Sequence, residues 1–295
     1  PAAEASELRG ALVIGTDEYQ KKLYGLLPGG LTISNLESGT LDRLEPLPGV
    51  SGATVTAAAR NAPGSLLTAG TSDGRAALIH LRFEPQYESA KLTDVVATVR
   101  VDPLVAMDPQ GRSLRLVDGR ERDGAVVLAA VATEREIVVQ RKGADDAAYS
   151  ATTLEVGTGE TITHLRLGRT DHLAAATDRG GLYLWELGPE IRLVDNRSLA
   201  PARVTALAWA NADISMLVGD DQGGLAAYFR VRLKDDDPEP SLVRAHVYEK
   251  QSAAVVDIVP SVRDKSLRIG LTMFVRSRSL AATSCSIGVK RKKFS

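Results

Sequence analysis

The chain has 295 residues, 44% of them apolar and 25% charged, with a formal net charge of −1. That length holds two ordinary domains or one large all-β or α/β-barrel domain. The longest apolar run, Ala125–Ala132, has eight residues, against about 20 for a membrane-spanning helix, so the chain as given does not cross a bilayer through a helix.

Short strands with turn signals follow one another from the N-terminus. "GGLTISNLESGTLDRL" (Gly29–Leu44) reads as the third and fourth strands of a first unit. "TVTAAA" (Thr54–Ala59), "SLLTAG" (Ser65–Gly70), "RAALIHL" (Arg75–Leu81) and "DVVATVRV" (Asp94–Val101) make a second, with "RFEPQYESAK" (Arg82–Lys91) as a polar, Pro-bearing loop between its last two strands. "SLRLVDG", "AVVLAAVA" and "REIVVQRK", within Ser113–Lys142, give three strands of another unit. "TITHLRL" (Thr161–Leu167), "HLAAAT" (His172–Thr177) and "GLYLWEL" (Gly181–Leu187) are three strands of the next. "VTALAW" (Val204–Trp209), "SMLVGD" (Ser215–Asp220), "GLAAYFR" (Gly224–Arg230) and "SLVRAHVY" (Ser241–Tyr248) repeat the plan, with "KDDDPEPS" (Lys234–Ser241) as a loop. "AVVDIVPSVRDKSLRIGL" (Ala254–Leu271) opens a last unit. No segment carries long helical periodicity.

Three of these units align on a glycine: "SDGRAALIHL", "DRGGLYLWEL" and "DQGGLAAYFR" superpose Gly74, Gly180 and Gly223. Asp and Gly accept the positive φ that a tight antiparallel hairpin demands. In the 181–187 strand, Leu182 and Leu184 point one way and Tyr183 and Trp185 the other, so both faces are apolar. An open one-sided sheet shows a polar face; a sheet packed between two neighbours does not. Four-stranded units every 40-odd residues, each apolar on both faces, predict an all-β fold, a WD-repeat-like β-propeller of about six or seven four-stranded blades. Residues 1–272 form the single propeller domain.

The C-terminal residues 273–295 drop this pattern. No acidic residue follows Asp264, while eight cations do, and the rest of the chain holds 28 cations against 37 anions. The tail reads as a non-native or disordered basic end, with a patch for acidic lipid or nucleic acid as the other reading. The acidic body is a poor general nucleic-acid binder.

Candidates for chemistry are few. The P-loop and the G-x-S-x-G elbow are absent. "GTGETIT" at Gly157 has two glycines of a dinucleotide fingerprint, lacks the third and precedes a strand, so it reads as a turn. The single cysteine, Cys285, excludes an intramolecular disulfide and a Cys-based zinc site. Of the four histidines, His80, His164, His172 and His246, His164 and His172 sit on adjacent predicted strands, and Asp171 or Asp178 is an imaginable third ligand. All four also suit edge or satisfied core positions. Asp73, Asp178 and Asp221 recur by position, which a turn-forming role explains. Asp235–Asp237 lacks the ligand alternation of a calcium loop. Asn196-Arg197-Ser198 is a sequon that matters only in a eukaryotic secretory setting, and Trp185-Glu186 stands where WD repeats carry their dipeptide. No catalytic, cofactor-binding or metal-binding residue is assigned, and no cofactor is expected.

"VTALAWANADISMLVGDDQGGLAAYFRVRLKDDDPEPSLVRAHVY" (Val204–Tyr248), continued by "AAVVDIVPSVRDKSLRIGL", resembles the large extra-membrane domain of proteobacterial phosphate ABC-transporter permeases of the PstC type. Those proteins carry a similar "V-T-x-x-A…SL-x-VG-x-x-x-GG-L-x-x-W/Y-F-x-V-R" segment in a WD-like propeller. The resemblance covers roughly residues 160–271. It implies a non-catalytic module inserted after the first transmembrane helix of a permease. Such a module faces the periplasm at the bacterial inner membrane and is attached through helices not in this chain. Implied partners are the other transporter subunits or the periplasmic phosphate-binding protein; no specific nucleic acid is implied. After "IGL" the family continues with an acidic D-x-G turn and an aromatic strand, which this sequence lacks. The other reading of the chain is a stand-alone propeller enzyme, a metal-dependent hydrolase or lactonase. It needs carboxylates, Asn or His converging from the inner ends of several blades.

Overall fold

A computed structural model of the chain describes residues 8–50, 52–61, 64–168, 171–210, 215–232 and 239–260, together with the backbone of 266–274 and 285–293. Side chains of 42–45 and of the two C-terminal strands are outside that description. Two compact units divide at Glu155/Val156.

The first unit holds three sheets. The first is β1 (Val13–Thr16), β2 (Lys22–Leu27), β3 (Gly30–Asn35) and β4 (Leu41–Glu45), in that order. The second is β5 (Val55–Arg60), β6 (Leu66–Thr71), β7 (Arg75–Glu88) and β8 (Lys91–Val101), with β9 (Val105–Ala106) added on β7. The third is β10 (Leu116–Arg122), β11 (Ala125–Val131), β12 (Glu136–Lys142) and β13 (Ser150–Glu155).

The second unit repeats the arrangement. Its sheets are β14 (Ile162–Leu167), β15 (His172–Thr177), β16 (Gly181–Leu187) and β17 (Ile191–Ser198); then β18 (Val204–Trp209), β19 (Met216–Asp220), β20 (Leu225–Val231) and β21 (Ser241–Val247); then the three strands β22 (Val255–Pro260), β23 (Ser266–Phe274) and β24 (Cys285–Lys293). Every pairing among the described strands is antiparallel and each sheet runs as a meander, apart from β9, which returns to pair with β7. Of the basic tail, Cys285–Lys293 pairs along β23, from Phe274↔Cys285 to Ser266↔Lys293. Residues 275–284 and 294–295 lie outside the described residues, as does Asp235–Asp237. Among the described residues no helix is long and apolar enough to cross a membrane.

The recurring turn between the second and third strands has a physical cause beyond its positive φ. In the second, fourth and fifth sheets, the residue before the first strand and the turn bond reciprocally. Thr54 N–H donates to Ser72 Oγ (3.1 Å) and Ser72 N–H to Thr54 O (2.9 Å). Thr161 N–H donates to Asp178 Oδ1 (2.7 Å) and Asp178 N–H to Thr161 O (2.9 Å). Arg203 N–H donates to Asp221 Oδ1 (3.1 Å) and Asp221 N–H to Arg203 O (3.0 Å). Thr71, Thr177 and Asp220, one position earlier, accept the N–H four residues on, from Arg75, Gly181 and Gly224. The glycine that follows offers its carbonyl to the chain leaving the fourth-strand region: Met107 N–H to Gly74 O, Leu199 N–H to Gly180 O, Gln251 N–H to Gly223 O. Asp178 and Asp221 are therefore turn formers, as expected. Asp73 is not their equivalent; Ser72 is, while Asp73 accepts from the Thr71 hydroxyl (2.5 Å) and from Arg75.

First strands share a second device. The pairing slips by one residue at Thr56 in β5, Thr163 in β14, Thr205 in β18 and Val256 in β22, a β-bulge that re-aims one side chain. The freed Thr56 hydroxyl donates to Leu114 O (2.8 Å) at the mouth of β10, and that of Thr205 to Val255 O (2.6 Å) on β22. Each hydroxyl thus ties its sheet to the next.

Both faces of the central strands are apolar and covered. Leu182, Tyr183, Leu184 and Trp185 are all buried. Leu182 and Leu184 join Val204, Leu207, Met216 and Val218 in one core cluster, while Tyr183 stacks on Trp185 at 5.6 Å, so Trp185 is a packing residue. In the first unit, Ile79 and Leu81 face Tyr24, Leu26 and Ile33; Ala76 and Leu78 face Leu114, Val117 and Leu128.

One expected loop is a strand pair. Arg82–Lys91 does not break the sheet: β7 and β8 continue as a hairpin to Glu88↔Lys91, closed by Ser89 and Ala90 at φ 48° and 63°. The second strand, β6, ends opposite His80, so beyond that point β7 is an edge strand, where Pro85 is tolerated. The hairpin lies over the first sheet. Phe83 stacks on Tyr24 at 5.9 Å, Val95 is buried, and Lys22 Nζ is 3.0 Å from Asp94 Oδ1.

At Gly223, φ is +84°, and a Cβ would lie 2.4 Å from Gln251 O and 2.8 Å from Ala253 O. Gly223→Val is expected to cost about 2–4 kcal/mol, backbone strain adding to steric overlap. Gly10 has the same sign of φ with nothing near it, so Gly10→Ala should cost about 1 kcal/mol. Urea unfolding of both variants checks this; equal losses would refute the close-approach argument.

Candidate functional site

The four histidines go to four separate places. His164 pairs with Ala176 near one end of β15, while His172 opens the other end and faces Glu186. The expected approach of His164 to His172 therefore fails, because antiparallel pairing sets them four residues apart along the sheet. His172 packs by Trp209, with ring centroids 6.3 Å apart, and His246 meets Tyr248 edge-on at 4.5 Å.

His164 sits beside the bulge in β14, its Nδ1 3.0 Å from the Thr163 hydroxyl. Burial holds its pKa below the usual histidine value, a hydrogen bond with the Thr205 backbone works against that, and Arg166 adds to the lowering. The dinucleotide-like segment at Gly157 is a turn: Gly157 N–H donates to Tyr183 Oη (2.9 Å), which donates to Glu160 Oε2 (3.0 Å). Asn196 is an exposed residue of β17.

His80 stands apart, because the structure surrounds it with charge. It lies on β7, next to Arg100 of β8 in the register. Leu78, two residues before it on the same strand face, packs towards the third sheet, so His80 faces that way too. Asp102 follows β8 directly, and its N–H donates to Leu78 O (2.9 Å), which fixes the carboxylate beside the imidazole. Asp102 Oδ2 is 2.9 Å from His80 Nε2. From β10 of the third sheet, Glu121 Oε2 comes to 3.4 Å from His80 Nδ1. Arg100 completes the group, with Nη1 2.9 Å from Asp102 Oδ1 and Nη2 3.8 Å from Glu121 Oε2.

Glycine makes the approach possible. Gly119 precedes Glu121 by two residues on β10, and a Cβ there would lie 2.4 Å from Thr68 Oγ1 and 2.5 Å from Leu78 Cδ2. Any side chain would push β10 off the second sheet and carry Glu121 away from His80. Tyr149 lies near enough for the field to reach it: burial raises its pKa first, and the charges of Asp102 and Glu121 raise it further. Lys142 Nζ sits 6.0 Å from the Tyr149 ring centroid.

His80, Asp102 and Glu121 form a group of His and carboxylate ligand atoms all within 4.8 Å of one another. The side chains of His80 and Asp102 are about four-fifths covered, at 21% and 19% exposure, and that of Glu121 is 33% exposed. Both ring nitrogens therefore look at carboxylate oxygens. A neutral imidazole has one N–H and one lone pair; the hydrogen bond is made with Asp102, and Arg100 lies beside both carboxylates. His80 is one of the satisfied edge histidines that the sequence suggests, but its partners stand 22 and 41 residues further on, just after β8 and in β10, and no sequence spacing announces them.

No protein-family model matches this sequence, and no curated protein matches it. Among solved structures, the chain is similar to the β-propeller domain of Myceliophteria thermophila Cps50 (Swd1), with a TM-score of 0.56 at 13% identity, over 96% of this chain and 86% of that one. At that identity the likeness concerns the fold alone. The fold is an all-β, WD-repeat-like propeller, with six sheets among the described residues, five of them with at least four strands.

His164 generates a pH prediction. Its pKa is depressed in the folded state, so between about pH 7.5 and 5.5 the unfolded chain takes up a proton there that the folded chain resists. Stability should fall as pH drops through that window, and His164→Asn should flatten the fall. Thermal unfolding of both proteins at several pH values checks this, and parallel curves would refute it.

Proposed function

We propose that this propeller is a non-catalytic protein-interaction platform, and that it serves as the extra-membrane domain of a phosphate ABC-transporter permease at the periplasmic face of the bacterial inner membrane. The platform half of the reading is supported by the fold. Propellers offer loops and strand edges over a rigid stack of sheets, although a fold alone does not determine what is bound. The transporter half is carried by one observation, the run from Val204 to Tyr248 with its V-T-x-x-A strand, Asp221-Gln-Gly-Gly turn and aromatic Tyr228-Phe229 strand.

Asp178, Asp221 and Asp108 are occupied with backbone N–H groups, and Arg112 holds the Asp108 carboxyl below the usual range. A docking role asks only for a stiff frame, which the turn and bulge hydrogen bonds provide. The docking partner expected on this reading is the periplasmic phosphate-binding protein or another transporter subunit.

Two measurements test it. The reading frame that contains this chain should run into apolar spans of about 20 residues, beside genes for an ATPase and a phosphate-binding protein. The purified propeller should bind that phosphate-binding protein in biolayer interferometry with reversible kinetics. A frame without spans, in an unrelated gene neighbourhood, with no binding, would overturn the transporter reading and leave the platform reading to be tested with other partners.

A further inference from the structure

We infer that His80, Asp102 and Glu121 form a binding site for a single divalent transition-metal ion of the zinc type, which clamps the second sheet to the third. This inference does not rest on the transporter reading.

The argument starts from donor chemistry. An imidazole nitrogen with two carboxylates suits zinc and similar borderline ions, which take tetrahedral sites with bonds of about 2.0–2.2 Å. Two ligand atoms on one such ion lie about 3.3 Å apart by that geometry. The His80 Nε2 to Asp102 Oδ2 distance is 2.9 Å and the His80 Nδ1 to Glu121 Oε2 distance is 3.4 Å. Those two contacts use opposite ring nitrogens, of which a single ion would take one; with one ligand atom from each residue, the three lie within 4.8 Å of one another before any ion arrives. Glu121, the most exposed of the three at 33%, is the ligand whose side chain would move to meet the ion.

Charge favours a cation. The two carboxylates carry two negative charges against one from Arg100. Arg100 has a side chain 63% exposed, so it can swing into water and leave both carboxylates to the ion. It acts as the built-in competitor of the site. Backbone placement supplies the rigidity: Asp102 is held by its N–H bond to Leu78 O, and Glu121 is held close by the Gly119 contact. The ligands come from β7, the segment after β8, and β10, so one ion would add a further link between two sheets that meet through apolar contacts, the Thr56 hydroxyl and the Gln140 side chain.

The test uses isothermal titration calorimetry of the full chain with zinc chloride, after chelator treatment, with a melting curve at each step. Wild type should bind one ion and melt at a higher temperature when loaded. Glu121→Gln keeps the shape of the side chain and should lower affinity by about tenfold or more while melting like wild type without metal. His80→Gln should do the same. Arg100→Gln removes the competitor and should tighten binding, an effect that a purely structural ion-pair role does not produce. Absence of binding at tens of micromolar zinc, or binding that is unchanged in both Glu121→Gln and His80→Gln, would overturn the inference. Should His80→Gln fail to fold, Glu121→Gln and Arg100→Gln still decide it, because their affinities must move in opposite directions.

Discussion

The second, fourth and fifth sheets depend on the hydrogen-bonded tie between the chain entering the sheet and the turn joining its second and third strands. A four-stranded meander leaves its first strand free on one edge and its entry segment loose. Ser72, Asp178 and Asp221 remove that freedom by exchanging two hydrogen bonds with Thr54, Thr161 and Arg203. The adjacent glycine carries the departing chain on its carbonyl. Entry, turn and exit of a sheet are therefore joined within a few ångströms. A side-chain acceptor at this point pairs a backbone N–H at a strand end; all three bonds are exposed, so each replaces a bond to water and its net contribution is modest.

Given that tie, each sheet presents two apolar faces and needs a neighbour on both. The spacing is met with small residues. Gly70 and Gly219 lie where the following first strand comes closest; a Cβ on either would fall 2.5 Å from a valine methyl, of Val117 and of Val255. Ala176 holds the same place in the fourth sheet, and the run Ala174–Ala176 is buried. A core built from such close approaches uses few rings, which is why 4% aromatic residues suffice. The bulged threonines add a polar thread through this apolar stack: Thr56 and Thr205 each satisfy a carbonyl of the next sheet, and such bonds are directional where apolar contact is not.

The charged group around His80 follows from the same packing. Because Gly119 lets β10 come close to β6 and β7, a glutamate from one sheet reaches a histidine of another. Partly covered charges interact more strongly than charges in water, and two carboxylates beside one imidazole make that place the strongest concentration of ligand chemistry among the described residues. The turn aspartates, by contrast, spend their oxygens on backbone donors and have little left for a ligand.

Local chemistry determined much of this fold before tertiary structure entered. Asp-x-Gly-Gly marks two of the tied turns because positive φ and a short acceptor are local requirements, and the alternation of Leu182, Tyr183, Leu184 and Trp185 reveals a strand covered on both sides. Where the local signal was weak, the sequence misled. Ser89-Ala90 carries none of the Gly, Asn or Asp residues that favour a hairpin turn, and Pro85 argues against a strand, yet packing of Phe83 and Val95 on the first sheet holds the hairpin open to Glu88↔Lys91. The shared residue type pointed to Asp73, although Ser72 stands two residues before its glycine as Asp178 and Asp221 do, and a hydroxyl serves as the acceptor there as well as a carboxylate. The meeting of His80, Asp102 and Glu121 was decided by tertiary structure alone. It depends on strand register within one sheet and on how closely a second sheet approaches, and both are set by contacts between residues far apart in the chain.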